Sequence, residues 1–180
     1  MQNIRRKDQT VTILSAYYNS RIVSYLVLHD KFGFGEKRIQ KLEQAVDKYL
    51  DEYEDGIYKT GFFEVEMKKR GIDVRSAVHE IPTRIRMMLT YGSRIPKRIT
   101  PQDATAIRCS MQTFYAVTLY ALNQDMKVSV RKLQEIYLKR MQFNFECLAE
   151  KNRLRIGDVV AVLCEECNYL DPRYAKEAVK

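Results

Sequence analysis

From Val11 to Leu28 apolar residues recur at helical spacing, through Leu14, Tyr18, Ile22 and Tyr25. A stripe of that length must be buried against other elements, and the composition limits what they are. Seven Gly and four Pro in 180 residues supply too little turn material for a sandwich, so the partners are expected to be helices. The stripe stops at His29-Asp30-Lys31-Phe32-Gly33-Phe34-Gly35, where two glycines break it. A second stripe, Ile39, Leu42, Val46, Tyr49/Leu50 and Tyr53, predicts a helix from Glu36 to about Glu54, ended by Asp55-Gly56. Thr60 is the expected N-cap of a short helix reaching Arg70, with Gly71 as its C-cap and Ile72 packing behind it.

The second half repeats this order. Thr100-Pro101-Gln102-Asp103 is a strong helix start, with Thr as N-cap, Pro at the first helical position and an acid at the third. That helix is expected to run through Ile107, Met111, Phe114, Val117 and Leu119 to about Leu122. After a break at Asn123–Val128, Ser129 caps a helix to about Glu150, and after a loop at Lys151–Arg155 a short apolar helix covers Asp158 to Cys167. Superposed at an offset of 94, Leu28 meets Leu122, His29 meets Asn123, Phe32 meets Met126, and Lys37-Arg38-Ile39-Gln40 meets Arg131-Lys132-Leu133-Gln134. The expected fold is all-α: two tandem copies of a three-helix unit (long helix, turn, long helix, loop, short helix). The units span 8–74 and 100–172, with 75–99 as a basic linker, and they are able to pack as one domain. Within the linker Pro82 biases Ile81 away from helix, and Thr83 to about Tyr91 forms a short helix.

No stretch approaches eighteen uninterrupted apolar residues, so no membrane span is expected, and the charged N-terminus lacks the pattern of a signal peptide. A cytoplasmic location is the expectation. The net charge of +8 is unevenly placed: residues 1–80 carry 14 Lys/Arg against 13 Asp/Glu, and residues 81–180 carry 17 against 10. A basic half is the electrostatic footprint of a polyanion partner.

Catalytic signatures are absent from the sequence. It holds two histidines, and no phosphate-cradling Gly-x-x-x-x-Gly-Lys, His-Glu-x-x-His or Gly-x-Ser-x-Gly. His29 and Asn123 both stand where a long helix ends and are expected to cap it; His79, beside Glu80, reads as an exposed linker residue. Cys164-Glu165-Glu166-Cys167 has the pair spacing of a zinc site, but Cys109 and Cys147 are single and distant, so four reduced thiols and no metal or cofactor are expected. The chain reads as a binding protein and not an enzyme.

Basic clusters are the strongest functional lead. Arg84, Arg86, Arg94, Lys97 and Arg98 lie in the linker; Arg131, Lys132, Lys139 and Arg140 on one helix; Lys151, Arg153 and Arg155 in the following loop. Lys132, Lys139 and Arg140 are expected to share a helix face and to span several phosphates. Lys37 and Arg38 begin one helix and Arg131 and Lys132 another, where the helix dipole disfavours cations. Cations placed at both starts point to phosphate or an acidic partner. Asp158–Leu163 is too apolar for a base-reading helix and reads as core, so the Ser129 helix is the better candidate for base contact.

Leu28-His29-Asp30-Lys31-Phe32-Gly33-Phe34-Gly35-Glu36-Lys37-Arg38 resembles the L-H-x-x-F-G-F-G-x-K-R signature of small phage and prophage proteins of Gram-positive bacteria, and the resemblance covers roughly residues 14–74. Met126-Lys127-Val128-Ser129 replaces the Phe-Gly-Phe-Gly run in the second half, so only the layout carries over there. The resemblance implies a phage-type protein in a bacterial host cell and no assigned activity. By analogy alone it brings in anti-CRISPR inhibition of Cas9, with guide-loaded Cas9 as a nucleoprotein partner. The expected function is binding of nucleic acid or a nucleoprotein complex. The rivals are a phage transcription or replication regulator that reads DNA as a dimer, and a protein–protein adaptor with no nucleic-acid contact.

Overall fold

The computed structural model describes residues 2–92, 95–150 and 155–169, with side chains from residue 15 onward. Every regular element among them is helical. The chain runs α1 (Gln2–Phe32), α2 (Glu36–Glu54), α3 (Phe62–Lys69), α4 (Val74–His79), α5 (Thr83–Tyr91) and α6 (Pro101–Gln124). A short α7 (Val130–Lys132) then passes without a break into a π-helical turn (Leu133–Leu138) and α8 (Lys139–Ala149), and α9 (Ile156–Cys167) follows. No described helix is long and apolar enough to cross a membrane.

The helix boundaries follow local chemistry. Thr100 and Asp103 form a reciprocal cap at the start of α6: the Asp103 amide donates to Thr100 Oγ1 (3.1 Å) and the Thr100 amide to Asp103 Oδ2 (3.4 Å). Ser129 Oγ accepts from the Lys132 amide (3.4 Å) at the start of α7. Thr60 does not cap α3; Gly61, at φ +78°, precedes it instead, because the reversal after α2 needs a left-handed residue there. Gly71 is left-handed and the Ile72 amide reaches back to the Met67 carbonyl (2.9 Å), which closes α3 as its sequence indicates.

Packing is crossed between the two halves. α1 and α6 lie together, α2 and α3 pack on α6, and α8 and α9 pack on α1. Each half's later helices therefore cover the other half's long helix, and the buried apolar side chains of the described residues form a single cluster. Ser24 and Tyr137, both fully buried, share a 2.7 Å hydroxyl–hydroxyl bond that joins α1 to the π turn. Burial without that partner would strand the Tyr137 hydroxyl in the core.

Residues 75–99 are more than a connecting linker. Asp73 caps α4 by accepting from the Ser76 amide (3.1 Å), a short helix that the sequence reading omits. Val78, Ile81, Ile85, Met87 and Leu89 all enter the core, and Asn19 on α1 donates to the Leu89 carbonyl (2.6 Å). Arg84, Lys97 and Arg98 of the basic linker are exposed, while the apolar residues of α5 face α1 and α8.

Candidate nucleic-acid interface

The two breaks between long helices have one backbone design. Gly33 and Lys127 are both left-handed, at φ +63° and +56°. The Phe34 amide donates to the Leu28 carbonyl (3.1 Å) and the Val128 amide to the Leu122 carbonyl (2.9 Å). His29 Nδ1 lies 3.1 Å from the Phe34 carbonyl, and Asn123 Nδ2 donates to the Val128 carbonyl (2.9 Å). Each of these pairs is separated by 94 residues. His29 and Asn123 thus have structural roles at the helix ends, where each braces the turn that follows its helix.

Their surroundings differ. Asn123 Oδ1 accepts from Arg70 Nη1 (2.6 Å), while His29 Nε2 faces Glu166 Oε2 on α9 at 2.7 Å. The carboxylate accepts from Nε2 and so favours the protonated ring. The hydrogen bond to Glu166 is the main cause that raises the His29 pKa; partial burial opposes it. Cys167, whose Sγ is 3.1 Å from His29 Nδ1, is buried, and that burial pushes its thiol pKa up.

Between the two turns lies a groove of about 400 Å³. Lys31 and Arg38 enter it from the first turn, and Lys127 and Lys132 from the second. No carboxylate lines it, and none of the four cations has a carboxylate partner among the described ion pairs. Arg38 is exposed, stacked 3.8 Å over the buried Phe34 ring, with Nη1 donating to the Phe32 carbonyl (3.3 Å). Lys127 Nζ donates to the Gln124 carbonyl (2.7 Å). Arg38 and Lys132 each occupy the third position of a helix, where the dipole opposes a cation by up to ~1 kcal/mol. Lys127 adds the roughly 1–2 kcal/mol that a side chain costs in the left-handed region. An anion between these groups would offset the helix-dipole cost at Arg38 and Lys132, while the cost at Lys127 is steric and is unaffected by it.

Of the sequence-predicted residues, the groove brings together only Arg38 and Lys132. Lys37 is exposed outside it. Arg131 is neutralised by Glu135, at 2.9 Å. Lys139 is exposed, and Arg140 stacks 4.4 Å from the Phe143 ring centroid; neither joins Lys132, because the π turn shifts the helix phase between them by about one residue, ~100°. The single face expected for Lys132, Lys139 and Arg140 is therefore divided. Arg86 holds α5 to α4 by donating to the Val78 carbonyl (3.1 Å) and Thr83 Oγ1 (2.9 Å), and burial, with Arg108 nearby, lowers its pKa. Arg84, Lys97, Arg98 and Arg155 are exposed away from the groove. Arg94, Lys151 and Arg153 lie outside the described residues.

Sequence reasoning missed Lys31 and Lys127. The signal for Lys127 was present: at the offset of 94 it falls on Gly33, so a lysine stands where the chain needs a left-handed residue. A larger hollow of about 600 Å³ beside α4 holds Arg75, Arg108, His79 and Glu80, but Arg75 is paired with Glu64 at 2.7 Å and the lining has mixed charge. The four cysteines are unpaired, and no cluster that could hold a metal occurs among the described residues. No family model matches the chain, and no curated protein or solved structure matches it.

Proposed function

We propose that this is a non-enzymatic protein that binds nucleic acid, alone or within a nucleoprotein complex, through the groove between its two helix breaks. The observation that carries this reading is the convergence of Lys31, Arg38, Lys127 and Lys132 on one concavity that no carboxylate enters. Neutralising phosphates there releases counterions, and four contacts correspond to a log–log salt slope of about −3 to −4. We further read the chain as a duplicated helical unit, supported by the matched turns 94 residues apart, with the binding site formed where the copies meet.

The test is a salt series from about 50 to 200 mM on random duplex, single-stranded DNA and guide-loaded Cas9, the last because the Leu28–Arg38 motif resembles phage proteins. Binding with the stated slope supports the reading, and capture of guide-loaded Cas9 but not of the free nucleic acids places the target in the nucleoprotein class. A preferred palindrome bound by a dimer favours a DNA-reading regulator. Absence of binding to all three at the lowest salt overturns the proposal and leaves a protein–protein adaptor.

A further inference from the structure

Besides its four exposed cations and Ser129, the groove is lined by apolar side chains that form its floor: Phe32, Met126 and Val128 from the two turns, and Ile136 from the π turn. Ile136 is one of the few large apolar side chains left open to solvent, at 37% exposure. The wider turn puts it there by admitting Leu133 and Tyr137 to the core on either side of it. A site for phosphate alone gains nothing from such a floor. Duplex DNA does not use it either: its bases are stacked inside, and its backbone meets a protein along a broad face, not in a concavity of about 400 Å³. An unstacked base offers an apolar face to the floor and a phosphate on each side to the cations.

We propose that the groove selects single-stranded nucleic acid over duplex, seating one base against Phe32, Met126 and Ile136 while Lys31, Arg38, Lys127 and Lys132 hold the flanking phosphates. This rests on the nucleic-acid reading and adds strand selectivity to it. The test measures anisotropy of a labelled single-stranded 15-mer and a blunt hairpin of the same composition, with an unlabelled poly-glutamate peptide as competitor. The expected result is about tenfold tighter binding of the single strand. Ile136→Ser is expected to weaken single-strand binding several-fold and leave its salt slope unchanged, because no cation is lost; Ile136→Phe, which restores a stacking surface, is expected to keep or improve it. Hairpin binding equal to or tighter than single-strand binding overturns strand selection and leaves general nucleic-acid binding intact. Unchanged single-strand affinity in Ile136→Ser, or its loss in a folded Ile136→Phe, overturns the role of the floor. Binding of neither nucleic acid overturns both readings, and binding of a separately labelled poly-glutamate peptide in that case assigns the groove to acidic protein.

Discussion

The turn after α1 and the turn after α6 share a backbone and differ in what it carries. In the first, glycine takes the left-handed position and a histidine braces the turn and binds α9. In the second, lysine takes the strained position and a neutral asparagine braces the turn and binds Arg70. The first turn puts conformational ease at its apex and a titratable group at its support. The second accepts strain to place a cation over the groove and has a support that does not titrate. A structural requirement explains the brace in both; it does not explain Lys127, where glycine would serve the backbone better.

Reversing the two cations shared by the turns is expected to have the largest effect. The Arg38→Glu/Lys132→Glu double variant should lose about 100-fold or more in nucleic-acid affinity at low salt while its helical circular dichroism stays unchanged. Retained affinity would refute the groove. Next, Asn123→Ala removes the second brace and leaves the Val128 carbonyl and the Arg70 guanidinium without that partner, which should cost about 1–2 kcal/mol in urea unfolding.

Exchanging the brace tests the first turn. His29→Asn keeps a donor for the Phe34 carbonyl but loses the pairing with Glu166. Because folding raises the His29 pKa, the contribution of the wild-type contact is complete below the ordinary histidine value of about 6.5 and is lost as pH rises through the higher folded value. Wild type should therefore lose stability relative to His29→Asn as pH rises above about 6.5, and parallel pH profiles would show that the contact with Glu166 does not titrate. The smallest stability change is expected from Lys127→Gly. It should raise stability by about 0.5 kcal/mol through relief of the left-handed side chain, and lower the magnitude of the salt slope by about 0.7–0.9. A gain in stability with no change in slope would make Lys127 a structural accident.

Much of the helix layout was legible, because caps and apolar periodicity are local. Thr100, Ser129, Gly71 and the Gly33/Gly35 break all do what their chemistry indicates. The π turn was written in the sequence but read as ordinary helix. Leu133, Tyr137, Met141 and Phe145 are core residues at steps of four, each overshooting a straight α-helix by about 40°, and the wide turn absorbs that drift. The groove was half legible. The offset paired Arg38 with Lys132, but that both face one hollow depends on how α1 and α6 lie together, which no local pattern encodes. Charge counting also pointed to residues 75–99 for the excess cations, where the apolar residues between them proved to set the packing.

The crossed packing has a consequence for synthesis of the chain. α2 and α3 make their most extensive helix–helix packing with α6, which begins at Pro101. A nascent chain that has emerged through Lys69 therefore holds apolar stripes such as Ile39, Leu42, Val46, Phe63 and Met67 before their main partner exists, with α1 reaching α2 through contacts such as Arg21–Glu43. Completing the core therefore needs the second long helix, and a chain stopped before Pro101 is expected to expose apolar surface that the full chain buries.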